Sequence, residues 1–187
     1  MSVAEAIFGA ARATDSRGPA QSFDDWPDGR IGPLLDTPPE PRQWLAAQRL
    51  LAGRGHLLVG AGGSSKTRAL YHLAAGAVTG RLPWGWKIER TGSAALFLAE
   101  DTAQDVHHAL QALGQGLSGT ERALLAERLR VFPLAGRGPI LLELHGQALR
   151  QSEVFGWVMR QVAAMPPPVA FIGLDPALGL TEGDELN

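Results

Sequence analysis

Cysteine is absent from this chain of 187 residues, which excludes a disulfide framework, a thiolate metal site and a cysteine nucleophile. No apolar run approaches the roughly 18 residues that a membrane span needs, and the N-terminus lacks the basic start and apolar run of a signal peptide. The chain also lacks a large excess of charge of either sign, because 17 basic and 19 acidic residues leave a net charge of −2. That balance argues against a basic protein that coats nucleic acid. We therefore predict a soluble, cytoplasmic protein with no membrane partner.

Proline is concentrated at the N-terminal end, where residues 1–42 hold six of the 13 prolines. This stretch has no sustained hydrophobic periodicity, so we predict an irregular arm or linker with a short helix at its start. Residues 43–187 are predicted to form one domain, which is long enough to bury a sizeable core. At its edge, the apolar stretch from Trp44 to Leu51 predicts a short helix.

Strand-like and helix-like segments alternate through the predicted domain. Short apolar runs predict four strands, at residues 56–60, 93–100, 130–136 and 169–175. Apolar residues at helical spacing predict helices at residues 67–78, 101–117, 118–129 and 152–165. Ser118 and Glu121 have the spacing of a capping box at the start of the third of these helices. The alternation predicts an α/β fold with a mostly parallel sheet.

The stretch GAGGSSKT, at residues 60–67, lies between a predicted strand and a predicted helix. It differs at one position from the phosphate-binding pattern G-x-x-x-x-G-K-[ST], in which backbone amides and a helix N-terminus offset phosphate charge. Lys66 is predicted to reach the β- and γ-phosphates and Thr67 to coordinate Mg²⁺ through its hydroxyl. The residues predicted to contact the nucleotide are Gly60, Ala61, Gly62, Gly63, Ser64, Ser65, Lys66 and Thr67.

Ser65 stands where the pattern has its second glycine. Serine keeps the backbone N–H group but adds a Cβ atom. If the position requires a positive φ, the serine strains the loop by on the order of 1 kcal/mol.

Acidic residues follow two of the predicted strands, in LAED (residues 98–101) and FIGLDP (residues 171–176). The carboxyl ends of parallel strands converge on the ligand crevice. Glu100 is therefore predicted to orient and deprotonate the attacking water, and Asp175 to hold Mg²⁺ directly or through water. Asp101 suits either the N-cap of the next helix or a supporting position beside the nucleotide.

Aromatic and imidazole side chains give weaker indications. Trp84 and Trp86, in LPWGW, could stack on a base or pack against the domain edge. His107 and His108 are adjacent on a predicted helix and form no i, i+4 pair, so a helix surface is the favoured interpretation.

The order of these motifs resembles the RepA-type ATPases, RecA-like P-loop proteins that include hexameric replicative helicases of plasmids and ATPases of phages. The resemblance runs from PRQWL (41–45) through GAGGSSKT, LAED and HHALQALG (107–114) to LDP (174–176). It implies a RecA-like P-loop NTPase fold, a three-layer sandwich with a mostly parallel sheet, that binds ATP with Mg²⁺. It implies Lys66 and Glu100 as catalytic residues, with Asp101 at the nucleotide and Thr67 and Asp175 as metal ligands.

Two departures from the family pattern are visible. Ala109 stands where members often carry arginine, and the sequence ends at TEGDELN, soon after the strand that carries Asp175. RecA-like cores normally continue with a further helix and strand, a polar sensor and an arginine finger, so we expect the domain at 43–187 to be incomplete at its C-terminus. Such a chain is expected to hydrolyse ATP slowly.

The sequence therefore predicts an ATPase that, when complete, forms a homo-oligomeric ring and couples hydrolysis to DNA unwinding or replication, with single-stranded DNA as a further partner. A nucleotide-gated binding module without useful turnover is the alternative. A ParA-like partition ATPase is disfavoured, because Ala61 stands near the position of that family's signature lysine. A RecA-type recombinase stays open, although no motif identifies strand exchange.

Overall fold

The computed structural model describes residues 31–145 and 148–176, together with Leu180. Most of the predicted arm, including the helix expected at its start, and the TEGDELN segment lie outside the described residues. The described helices, in chain order, are α1 (Gly32–Asp36), α2 (Lys66–Thr79), α3 (Ala103–Gly114), α4 (Gly119–Arg128) and α5 (Glu153–Ala163). The described strands are β1 (Trp44–Ala46), β2 (Leu50–Leu51), β3 (Ser93–Leu98), β4 (Leu129–Pro133), β5 (Leu142–His145), β6 (Ala148–Gln151) and β7 (Val169–Asp175).

Three parallel strands form the central sheet, in the order β4-β3-β7. Strand β3 is buried along its whole length, as expected for the middle strand of a sheet covered on both faces. Its neighbour β7 approaches closely at Gly173, where an added Cβ would lie 2.6 Å from Leu96 Cδ2. The mixed α/β class with a parallel sheet is confirmed.

Side chains of β3 alternate between two cores, because successive residues of a strand point to opposite faces. Ala94, Leu96 and Leu98 belong to a cluster with residues of α2. Ala95 and Phe97 belong to another cluster that includes buried residues of α5. Helices therefore cover both faces of the sheet, which is the layered arrangement that the family resemblance implies.

Two helices begin with reciprocal caps. The Ser118 hydroxyl accepts a hydrogen bond from the Glu121 amide while the Glu121 carboxylate accepts from the Ser118 amide. The predicted capping box is thereby confirmed. Thr102 and Asp105 form the same motif at the start of α3.

The predicted helix at 44–51 is wrong, because this segment forms the antiparallel pair β1–β2. Gln48 lies between the two strands with a φ of 57°, which interrupts a right-handed helix. Backbone groups of the segment bond instead across the hairpin and to the chain near residue 88, as in the bond from the Ala47 amide to the Lys87 carbonyl.

The predicted strand at 56–60 is also wrong, because this segment has no strand assignment. Leu57 and Val59 are 78% and 77% exposed. An apolar run becomes a strand only where another strand offers backbone partners. Within the described chain, β7 pairs with β3 alone, and residues 56–60 join no sheet.

None of the helices in the part of the chain that the structure describes has the length and apolar character needed to cross a membrane.

Candidate functional site

The GAGGSSKT loop curls around the side chain that ends it. Lys66 Nζ donates hydrogen bonds to the carbonyl oxygens of Gly60 and Ala61, at 2.8 and 2.9 Å. The loop is closed further by a bond from the Ser64 amide to the Ala61 carbonyl. The lysine ammonium is therefore held within the curve of the loop that the motif assigns to phosphate.

Two loop residues adopt left-handed backbone conformations. Gly63 has a φ of 74°, and Ser65 has a φ of 64° with a ψ of 28°. A positive φ is costly for a residue with a Cβ atom, so the condition on which the predicted strain at Ser65 depends is met. Helix α2 starts at the next residue, Lys66. The first amides of this helix have no acceptors within the helix. They lie at the positive end of the helix dipole, which attracts anions.

Thr67 joins the loop to the far end of the chain. Its hydroxyl donates to Asp175 Oδ2 at 2.5 Å, across 108 residues of sequence. Both side chains are half-buried. A hydroxyl and a carboxylate oxygen this close are the hard oxygen donors that Mg²⁺ accepts beside nucleotide phosphates. The two residues predicted as metal ligands are therefore brought together and fit that role.

Glu100 and Asp101 follow β3 at the edge where β7 ends. Leu98 is paired with Asp175 in the parallel register, and the Ala99 amide donates to the Asp175 carbonyl at 2.8 Å. Glu100 is exposed, whereas Asp101 is half-buried. The predicted acidic residues Glu100, Asp101 and Asp175 thus share one edge of the sheet, which we call the acidic edge.

Asp101 is not the N-cap of α3, which is Thr102. That alternative is wrong because the Thr102 hydroxyl and the Asp105 carboxylate already complete the cap. Burial raises the pKa of Asp101, and the negative charges of Asp105, Asp175 and Glu100 raise it further. Asp101 therefore belongs electrostatically to the acidic edge.

Tyr71 is a residue of this edge that the motif search misses. It lies four positions after Thr67, on the same face of α2, and is 3% exposed. Burial raises the pKa of its hydroxyl, and the charges of Asp101, Asp105 and Asp175 raise it further. The available signal in the sequence is that Tyr71 is the chain's single tyrosine, on the helix that follows the loop.

The two tryptophans of LPWGW pack against each other and α2. Trp84 makes edge contacts with His72 and Trp86, with ring centroids 5.7 and 5.5 Å apart. The Arg49 guanidinium lies 5.7 Å from the Trp86 ring. These contacts support the packing interpretation at the domain edge.

His107 and His108 are both exposed on α3, as predicted for a helix surface. Their rings stack on each other, with centroids 6.4 Å apart.

The family model described as the AAA domain matches residues 19–187 of this chain. The match includes the loop, both acidic strand ends and Tyr71.

Proposed function

Since this chain belongs to the AAA domain family, we propose that it is an ATPase that binds Mg²⁺·ATP where the loop at 60–67 meets the carboxyl ends of β3 and β7. The observation that carries the proposal is the contact between the Thr67 hydroxyl and the Asp175 carboxylate. The contact joins the phosphate-binding loop to the acidic end of β7, two motifs that are distant in sequence. A nucleotide site needs both, because the loop binds the phosphates and the carboxylate binds the metal.

The loop supplies the positive side of the site. Its amides and the N-terminus of α2 receive phosphate oxygens. Lys66 bonds to the carbonyl oxygens of Gly60 and Ala61. When the nucleotide binds, the ammonium group leaves these neutral acceptors for β- and γ-phosphate oxygens, which form stronger charge-assisted bonds.

The acidic edge supplies the other side. Thr67 and Asp175 hold the metal, which neutralises charge on the phosphates when bound. Glu100 accepts the proton of the attacking water and orients it. Its exposure leaves the carboxylate accessible to a water above the strand ends.

We extend the proposal to DNA on the strength of the RepA-type resemblance. The protein is then a homo-oligomeric ring, with its ATPase domain at 43–187 and an arm at 1–42, that uses hydrolysis to unwind or move along single-stranded DNA. An arginine finger from a neighbouring subunit would account for much of the rate, about 10³–10⁵ in related enzymes. Strand displacement of a forked duplex, dependent on ATP, tests this extension.

Replacement of Lys66 by alanine tests nucleotide binding. The Kd for Mg²⁺·ATP, measured by titration calorimetry, is expected to rise at least about tenfold, which corresponds to about 1.4 kcal/mol. Lys87, the chain's other lysine, is the matched control, because its side chain is 79% exposed. Equal affinity of Lys66→Ala and Lys87→Ala would remove the basis of the proposal.

A nucleotide-gated binding module is the second candidate, favoured by the left-handed Ser65 in the loop. Steady-state phosphate release separates the two candidates. Release that falls on Glu100→Gln at unchanged ATP affinity supports the enzyme, whereas binding without release supports the module.

A further inference from the structure

The Tyr71 side chain lies at the acidic edge without a role in the reaction as proposed. It is 3% exposed, and its hydroxyl has no hydrogen-bond partner among the described residues. A buried hydroxyl left in this condition is destabilising, so native proteins place such a group beside an acceptor or an ordered water. Its partner should therefore be sought among the polar side chains that surround it.

Tyr71 belongs to the core cluster on one face of the central strand. Its ring packs in the same cluster as Leu96 and Leu98 of β3. One helical turn earlier on the same face, Thr67 bonds to Asp175. Three carboxylates, those of Asp101, Asp105 and Asp175, act on the hydroxyl electrostatically.

Two of these three carboxylates each have one oxygen engaged in a hydrogen bond. Asp175 accepts from the Thr67 hydroxyl. Asp105 accepts from both the amide and the hydroxyl of Thr102. Asp101 is half-buried, makes no side-chain hydrogen bond within the described chain, and exerts the largest electrostatic effect of the three on Tyr71. Asp101 is therefore the one carboxylate of the three with both oxygens free of side-chain hydrogen bonds in the described chain, which makes it the favoured acceptor.

We propose that Tyr71 is a positioning residue whose hydroxyl donates a hydrogen bond to one ordered water, which in turn donates to the Asp101 carboxylate. This water bridge restrains Asp101 and, through the backbone, the adjacent Glu100 above the γ-phosphate. This role rests on the proposed ATPase function. The contact between Tyr71 and Asp101 does not, since it involves only groups of this chain and one water.

Tyrosine labelled with ¹³C at the ring carbon that bears the hydroxyl provides a direct test, because the full chain has one tyrosine and hence one resonance. We expect Asp101→Asn to displace that resonance more than Asp105→Asn does. Asp105→Asn is the matched control, as it also removes a negative charge that acts on Tyr71. Equal displacement in the two variants, or none in Asp101→Asn, would overturn the contact.

The second arm asks whether the contact positions Glu100. Tyr71→Phe keeps the ring and removes only the hydroxyl, so the thermal unfolding curve reports whether the fold is retained. We expect the Kd for Mg²⁺·ATP to stay unchanged while kcat for phosphate release falls about tenfold. Unchanged kcat, or a loss confined to ATP affinity, would refute the positioning role.

The two arms also separate this inference from the proposed function. A parent chain that binds ATP without hydrolysing it contradicts the ATPase and, with it, the positioning role. The tyrosine resonance still decides whether Tyr71 and Asp101 are linked. Tyr71→Leu, which removes the ring as well, serves as the reference for a purely structural loss, since it should lower the thermal stability together with the activity.

Discussion

At the scale of single residues, the loop combines an ordinary phosphate motif with one strained position. Ser65 adopts a φ of 64° immediately before α2, the conformation that glycine accepts without cost. The strain does not open the loop, because Lys66 still bonds to the carbonyls of Gly60 and Ala61. The departure from the motif is therefore expected to appear as an energetic cost.

Ser65→Gly should stabilise the protein, because glycine removes the Cβ atom from a left-handed position. We expect the free energy of unfolding to rise by about 0.5–1 kcal/mol, less the extra entropy that glycine gives the unfolded chain. Urea denaturation measures the change. Ser64→Gly is the matched control, because Ser64 does not have a positive φ. A gain of equal size in both variants would contradict the assignment of strain to Ser65.

Asp101 provides a pH-dependent prediction. Because its pKa is raised from the ordinary value of 3.8, the folded protein binds this proton more tightly than the unfolded chain does. Ionisation of Asp101 therefore lowers the free energy of unfolding. This loss is absent below pH 3.8, grows as the pH rises from 3.8 to the raised pKa of the folded protein, and stays constant at higher pH. Asp101→Asn should therefore stabilise the metal-free protein at pH 7, by less than about 1 kcal/mol because solvent screens a half-buried group.

Denaturation at pH 7 and at about pH 3 measures this effect. The gain from Asp101→Asn should disappear at the lower pH, where the carboxyl is neutral in both states. Glu40→Gln, at an exposed position, should change stability little at either pH. A gain in Asp101→Asn that persists unchanged in acid would exclude the electrostatic cause.

At the scale of elements, close backbone approach determines how β3 enters the sheet. Gly92, the residue before β3, donates from its amide to the Ala77 carbonyl of α2. A Cβ atom on Gly92 would lie 2.2 Å from the Pro168 carbonyl oxygen at the start of β7. Because that oxygen belongs to the backbone, it cannot move without shifting the strand that carries Asp175.

Gly92→Ala is therefore expected to destabilise the protein by about 1–3 kcal/mol, the usual cost of overpacking a close contact. Thermal unfolding measures the loss. Gly119→Ala, at the first residue of α4 with no atom within 4 Å of the new Cβ, should be neutral or mildly stabilising. A Gly92→Ala protein as stable as the parent would show that Gly92 and the Pro168 carbonyl are further apart than in the structure.

At the scale of the whole molecule, the site is assembled from the two ends of the described domain. The contact from Thr67 to Asp175 spans 108 residues, and β7, which ends at Asp175, pairs with the buried central strand β3. The segment at 56–60 stays outside this assembly, with Leu57 and Val59 largely exposed. The loop is thus anchored through α2 and not through the residues that precede it.

Amide hydrogen exchange tests this arrangement. Residues 57–59 join no sheet in the described chain, so their amides should exchange at nearly the rate of an unstructured peptide. Those of Leu96 and Phe97, in the buried central strand, should be among the most protected. Protection of residues 57–59 comparable to that of β3 would contradict their exclusion from the sheet.

Much of the fold and part of the site could be predicted from local patterns. The strand at 169–175 has the bounds that its apolar run indicates, and the capping box of Ser118 and Glu121 forms as expected. The sequence also predicts the phosphate-binding loop, the acidic residues at the strand ends and the starts of the helices. Each of these features depends on residues that are close together in sequence. The role of Glu100 as a base stays a prediction.

The sequence by itself determined the α/β class, the phosphate-loop motif and the acidic residues at the ends of two strands. Only the tertiary structure decided that 44–51 is a hairpin, that 56–60 joins no strand, and that Tyr71 is buried without a hydrogen-bond partner among the described residues. The physical reason is that periodicity and caps are properties of contiguous residues. Strand pairing and burial depend on partners far along the chain, whose positions no local pattern contains.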